Sequence, residues 1–285
     1  MTRAAGMLLI HGAWQGAWAW DAWRAPMRER GWLAHALDLP GNGCNGGNGG
    51  NGGDLARTAA PGEITLDTYV GAVRAQLDRF DGPCVIVAHS GAGVIASQVA
   101  EAVPERVAAI VYVAGMMLPS GMGYGELVEA ASAEVENAGG IAPYLVWSDD
   151  GRVSRVPAAA ALEIFLHDCP PDAARRAAGL LTAQAEGGRA LVATLSAARF
   201  GRVPRVYIEA TLDRSVLLPL QRRMQALVPG ARVRTLECGH VPQLAQPEAL
   251  ARIVCETLAE LGITHDDLSA ARSASSPRAL KGTPT

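Results

Sequence analysis

Cysteine is too scarce and too scattered to staple this chain. Cys44, Cys84, Cys169, Cys238 and Cys255 are odd in number, and no two stand at C-x-x-C or zinc-finger spacing. The sequence therefore reads as one with reduced thiols, no disulfide framework and no metal site. Long apolar runs are also missing: no window approaches the ~18 residues of a membrane span. The run after Arg3 is too short for the core of a secretory signal. Charge is sparse at 19% of residues, nets −3 and includes no long basic stretch, which argues against nucleic acid or an anionic membrane as a partner. These absences lead to the expectation of a soluble, cytoplasmic protein.

What the chain does have is apolar material. Hydrophobic residues make up 49% of 285 positions, enough for one large α/β domain or two small ones. Met7-Leu8-Leu9-Ile10 is a short, continuously apolar run ending at His11-Gly12, as expected of a strand buried on both faces. A helix follows over 21–30 and a strand over 32–37. Helical periodicity returns over 65–80, with Thr65 as N-cap. Strands are expected over 85–88, 107–113, 205–210 and 232–236, with helices over 91–102, 217–227 and 247–261. Apolar strands alternating with helices point to a mostly parallel, doubly wound sheet.

Three segments interrupt that alternation within a domain expected to span 1–262. Residues 41–54, GNGCNGGNGGNGGD, cannot bury apolar surface and read as a flexible loop. They lack the Lys and Ser/Thr of a phosphate-binding loop, and only Asp54 could ligate calcium well. Residues 116–201 are Ala-rich with helical stretches and no strong strand. This segment is too long for an ordinary connection, so it reads as an inserted helical cap. Residues 263–285 are expected to be a disordered tail.

The chemistry concentrates at Cys84–Ala96, CVIVAHSGAGVIA. Gly91-Ala92-Gly93-Val94-Ile95-Ala96 fits the dinucleotide pattern G-x-G-x-x-G/A. That reading requires an acidic residue at the end of the next strand, where Val113-Ala114-Gly115 stands instead. The alternative is a nucleophile elbow, in which Ser90 sits on a strained strand-to-helix turn whose neighbours two residues away must be small. Alanines at 88 and 92 take the place of the usual glycines. A helix beginning at Gly91 would aim N–H groups at a developing oxyanion. The motif alone leaves a plain N-capping serine open.

Residues further along decide between them. A serine nucleophile needs a base, and the base needs an acid that orients it. Asp213 follows the strand over 205–210, and His240 follows the strand over 232–236, each at a strand's carboxyl end and in the order Ser, Asp, His. The triad read from the sequence is Ser90, Asp213 and His240. Competing residues fit less well. Glu209 lies within a strand, Asp149 and Asp150 fall in the cap, and Asp38 precedes the serine. His89 adjoins the nucleophile, but on a tight elbow its side chain faces away. His11 belongs to the first loop, where its role is structural. His35, His167 and His265 have no partner pattern.

At this point the chain resembles a known group. His11-Gly12-Ala13-Trp14-Gln15-Gly16-Ala17-Trp18-Ala19-Trp20 is similar to the H-G-A-x-x-G-A-W-x-W opening of the plant methylesterases and hydroxynitrile lyases of the α/β-hydrolase superfamily. Asp38-Leu39-Pro40-Gly41-Asn42-Gly43 is similar to their D-L-P-G-x-G turn. The resemblance spans roughly residues 7–261 and extends to bacterial carboxylesterases, pyrethroid hydrolases among them. It implies an oxyanion hole made by the N–H groups of Ala13 and Gly91. The lyases of this group carry threonine after the opening His and lysine after the catalytic His, where this chain has Gly12 and Val241. Hydrolysis is the favoured reading.

The expected activity is cofactor-free hydrolysis of a small-molecule carboxylic ester through an acyl-enzyme. Substrate contacts are expected from Trp14, Met116, Met117, Met122, Tyr124 and Trp147. An apolar lining without an Arg or Lys clamp suggests a neutral hydrophobic or aromatic ester. The rivals are a hydroxynitrile lyase, a ligand-binding receptor on a hydrolase scaffold, and an amidase, lactonase or perhydrolase using the same residues. Oligomeric state stays open, with a homodimer as one form.

Overall fold

A computed structural model describes residues 6–43 and 64–265. Most of the Gly/Asn tract, Cys44 and most of the expected tail lie outside those residues. The chain builds a six-stranded sheet from β1 (Gly6–Ile10), β2 (Leu33–Leu37), β3 (Cys84–His89), β4 (Val107–Val113), β8 (Arg205–Ala210) and β9 (Arg232–Leu236), in the order β2-β1-β3-β4-β8-β9. Every pairing in it is parallel.

The strands alternate between two cores because successive side chains point to opposite faces. Leu8, Ile10, Ile86 and Tyr112 face one side, under α2 (Leu66–Leu77), α3 (Ala92–Ala102) and α6 (Leu218–Leu227). Met7, Leu9, Val85 and Val111 face the other, under α1 (Asp21–Glu29) and α7 (Pro247–Glu260). Burial on both faces explains why β1 and β3 read as unbroken apolar runs. Thr65 caps α2 as expected: its hydroxyl accepts from Thr68 N, and Thr68 Oγ1 answers to Thr65 N.

The strand order reverses direction between β1 and β3, and open α/β sheets form their crevices at such a point, outside the strands' carboxyl ends. The loop His11–Trp14 leaves β1 there, and Ser90 leaves β3 beside it. α3 packs tightly against the chain behind Ser90. A Cβ on Gly93 would lie 2.7 Å from Met116 O and 2.8 Å from Met116 N, backbone atoms with little room to give. Gly93→Ala is expected to cost about 1–3 kcal/mol through this overpacking, read as a lower urea midpoint at unchanged m-value.

The segment between β4 and β8 differs from the sequence expectation. It contains α4 (Tyr124–Ala131), α5 (Pro171–Leu180) and a π-helical turn at Ala161–Phe165. It also holds a three-stranded antiparallel sheet, β5 (Val146–Trp147), β6 (Val153–Arg155) and β7 (Gln184–Ala185). Strands of two or three residues are too short to show alternation, so the cap read as helical only. Its own apolar cluster of Ile141, Val156, Ile164, Phe165 and Ala177 closes over Trp14 and Val241. Among the described residues, no helix is long and apolar enough to cross a membrane.

Candidate active site

Ser90 terminates β3 at φ +54°, in the left-handed region that a non-glycine residue seldom occupies. The turn is held from both sides. Ser90 N donates to Val113 O (3.3 Å), and its carbonyl accepts from Met116 N (2.8 Å) and Gly93 N (3.0 Å). Ala88 and Ala92 are both buried, so the size limit at those positions is met by alanine. α3 begins immediately after Gly91.

Asp213 and His240 come from the loops after β8 and β9. Asp213 Oδ1 accepts from Ser215 N (2.7 Å) and Val216 N (2.9 Å), which leaves Oδ2 to face His240 Nδ1 at 2.8 Å. Both side chains are almost wholly withdrawn from solvent. The His240 ring stacks on Phe165 of the cap, centroids 5.2 Å apart, and lies 4.7 Å from the His89 ring. With Nδ1 committed to a carboxylate, the free Nε2 is the only ring position left for a base.

His89 has more to do here than its sequence reading allowed. Its Nε2–H donates to the His240 carbonyl (2.7 Å), and Nδ1 faces the Gln15 amide (3.1 Å). Burial, reinforced by the neighbouring His240 and His11 rings, lowers its pKa well below the ordinary histidine value. A neutral His89 therefore steadies the backbone of His240. The signal in the sequence was a lone polar residue ending an otherwise apolar strand. Gly12 makes room for it: a Cβ there would stand 2.9 Å from His89 Nδ1 and 3.0 Å from Ser90 Cβ.

His11 orients the first loop. Its Nδ1–H donates to Gly12 O (2.8 Å), while Nε2 accepts from Leu39 N (3.0 Å). Desolvation lowers its pKa, so the neutral ring satisfies one donor and one acceptor. Gln15 N also donates to Gly12 O (3.3 Å). The Gly12–Ala13 peptide is trans, so Ala13 N–H points away from this anchored carbonyl. Among the described residues, neither Ala13 N–H nor Gly91 N–H meets a protein acceptor, and both residues line the same cavity as Ser90.

That cavity holds about 480 Å³. Trp14, Met116 and Tyr124 line it, together with Leu39, Ile95, Val128 and Ile141. Met117, Met122 and Trp147 do not. Met117 is fully buried in the core and Met122 packs against that core. Trp147 is 40% exposed on β5, with the Arg189 guanidinium over its ring. The lining is also less apolar than expected, because Glu126, Glu186 and Arg189 reach it. Arg189 is already engaged, with Nε and one terminal nitrogen each 2.7 Å from a Glu186 carboxylate oxygen.

The residues set aside at the sequence level have other work. Glu209 takes Arg222, Gln225 and Thr235 as partners. Asp38 accepts from Ala17 N (2.7 Å), and Asp150 closes an exposed turn with Ser148 and Arg152.

Comparison with known proteins identifies the family. A model of the alpha/beta hydrolase family matches residues 7–253. The chain belongs to that family. Among α/β-hydrolases it is similar to a pyrethroid hydrolase of Sphingobium wenxiniae, 27% identical, with 88% of this chain and 86% of that protein covered. It is equally similar to methylesterase 7 of Arabidopsis thaliana, at 27% identity over 87% of this chain and 94% of the relative. A crystal structure of a pyrethroid hydrolase from Sphingobium faniae superimposes with a TM-score of 0.74 at 25% identity, covering 90% of this chain and 97% of that one. An α/β-hydrolase fold supports many reactions, so the reaction must be argued from the site.

Proposed function

We propose that this α/β-hydrolase is a serine carboxylesterase acting on neutral hydrophobic or aromatic esters. The observation that carries the reading is the buried Asp213–His240 pair at 2.8 Å, with the His240 ring 4.7 Å from that of His89, the residue before a serine held at φ +54°. His240 Nε2 takes the Ser90 proton as Oγ attacks the ester carbonyl. Ala13 N–H and Gly91 N–H receive the oxyanion, and His240 returns the proton to the departing alcohol. Water, activated by the same ring, then releases the acid from the acyl-enzyme. No step needs a cofactor. The similarity to a pyrethroid hydrolase and a methylesterase supports ester chemistry.

The cavity supports the substrate class. Its walls are mainly aliphatic and aromatic, and the one guanidinium among the described lining residues, that of Arg189, is neutralised in place by Glu186. A substrate carboxylate would have to displace that bidentate pair. Cyanohydrin cleavage is disfavoured by Val241, which is buried in the apolar cluster with Trp14 and Phe165 and offers no cation beside His240.

The test is a fluorophosphonate of the kind that phosphonylates activated serines. One equivalent of adduct mapped to Ser90 is expected, with loss of p-nitrophenyl ester hydrolysis in proportion. An adduct on any other residue, with Ser90 unmodified, would overturn the assignment.

A further inference from the structure

We infer that the small antiparallel sheet of the cap positions the oxyanion hole, and that Gln184 and Ser154 are its positioning residues. The inference rests on the proposed esterase reading and adds to it a part for the cap beyond walling the cavity. It starts from Trp14, which stands at φ +62°. A bulky side chain in the left-handed region is strained, and such a residue persists only where its surroundings over-determine it.

The surroundings that do so come from the cap. Trp14 N donates to Gln184 Oε1 (3.1 Å), and Trp14 O accepts from Thr182 N (2.8 Å). The indole Nε1–H donates to Ser154 Oγ (3.1 Å), and the ring lies 6.1 Å from that of Phe165. Both backbone polar groups of Trp14 and its side-chain donor therefore end on β6, on β7 or just before β7. Gln184 is itself locked. Its Nε2 donates to Tyr69 Oη (3.0 Å) and to Ala185 O (3.2 Å), and Tyr69 rises from α2 beneath the cavity. Ser154 and Gln184 are both buried polar residues, and each uses that burial to hold the same strained tryptophan.

The consequence falls on Ala13. The peptide before Ala13 is tied to the core through His11 and Gln15, whereas the peptide after it is tied to the cap through Gln184. The bond from Gln15 N to Gly12 O closes a turn whose two central residues are Ala13 and Trp14. This anchor on the peptide that carries Ala13 N–H therefore holds only while Trp14 keeps its left-handed conformation. Releasing the cap-side anchor lets Trp14 leave the left-handed region and turns the N–H away from a developing oxyanion. The effect belongs to the transition state, where that charge appears, and not to ground-state binding.

Gln184→Met keeps volume and removes the acceptor, and Gln184→Glu restores an oxygen opposite Trp14 N. On a p-nitrophenyl ester, Gln184→Met is expected to lower kcat about ten- to hundredfold with KM within about twofold. Affinity for a trifluoromethyl ketone should fall by the same factor, while affinity for the product acid stays unchanged. Gln184→Glu should recover a large part of kcat. Ser154→Ala, which removes only the indole's partner, gives a smaller fall of about three- to tenfold. It also keeps the question open to experiment should Gln184→Met fold poorly. A kcat and ketone affinity unchanged in the folded variants would overturn the inference, as would a rise in KM alone. Wild-type turnover that does not depend on Ser90 is a different result and would sink the esterase reading itself.

Discussion

Replacing Ser90 with alanine is expected to lower kcat/KM for an activated ester by about 10⁴- to 10⁶-fold. The alanine removes the nucleophile while leaving Ala13 N–H, Gly91 N–H and the Asp213–His240 pair in place. Those groups would still bind and polarise the ester, so residual rate above water is expected. Stability should hardly change. The hydroxyl has no protein hydrogen-bond partner among the described residues, and the left-handed turn at position 90 is fixed by backbone bonds to Val113, Met116 and Gly93. A change in unfolding free energy within about 0.5 kcal/mol is expected. Steady-state kinetics beside a urea titration check both halves. A fall of less than about a hundredfold in well-folded protein would mean that another group performs the attack.

The framework around Ser90 was largely legible because it is made of strands buried on two faces. Such strands have no solvent-facing positions to break their apolar runs, so β4 and β8 end where the sequence suggested; β9, a largely exposed strand at the sheet edge, also ends there but without such a run. Order and strand position also brought out Asp213 and His240, since residues at the carboxyl ends of parallel strands must share one edge of the sheet. The cap was another matter. Its strands carry two or three residues, and which of its side chains face the cavity depends on packing between distant segments. Met116 and Met117 are chain neighbours, yet Met116 lines the cavity and Met117 lies in the core. Arg189 was invisible as a cavity residue for the same reason, as were Gln184 and Ser154, whose partner Trp14 lies 140 or more positions away. Polar side chains that brace a loop leave no local pattern. They appear only when buried donors and acceptors are followed to their partners.

Asp213→Asn should cost nearly as much as removing the serine, about 10⁴-fold in kcat, by a route that the hydrogen bonds specify. At this carboxylate, Oδ1 accepts two backbone N–H groups, from Ser215 and Val216. An asparagine must place its carbonyl oxygen there, because an NH₂ group would face two donors. Its NH₂ is then turned toward His240 Nδ1, where Asp213 Oδ2 now stands at 2.8 Å. A nitrogen that faces a donor must accept, so the ring proton moves to Nε2 and the imidazole presents a donor to Ser90 where a base is needed. The fold should survive, since the substitution is isosteric and both backbone bonds remain. Glu209→Gln is the matched control. It alters a buried carboxylate four residues earlier, but one whose partners are Arg222, Gln225 and Thr235. It should move kcat by less than about tenfold while lowering stability through the weakened Arg222 pair. Equal losses of kcat in the two variants, measured on folded protein, would remove Asp213 from the orienting role.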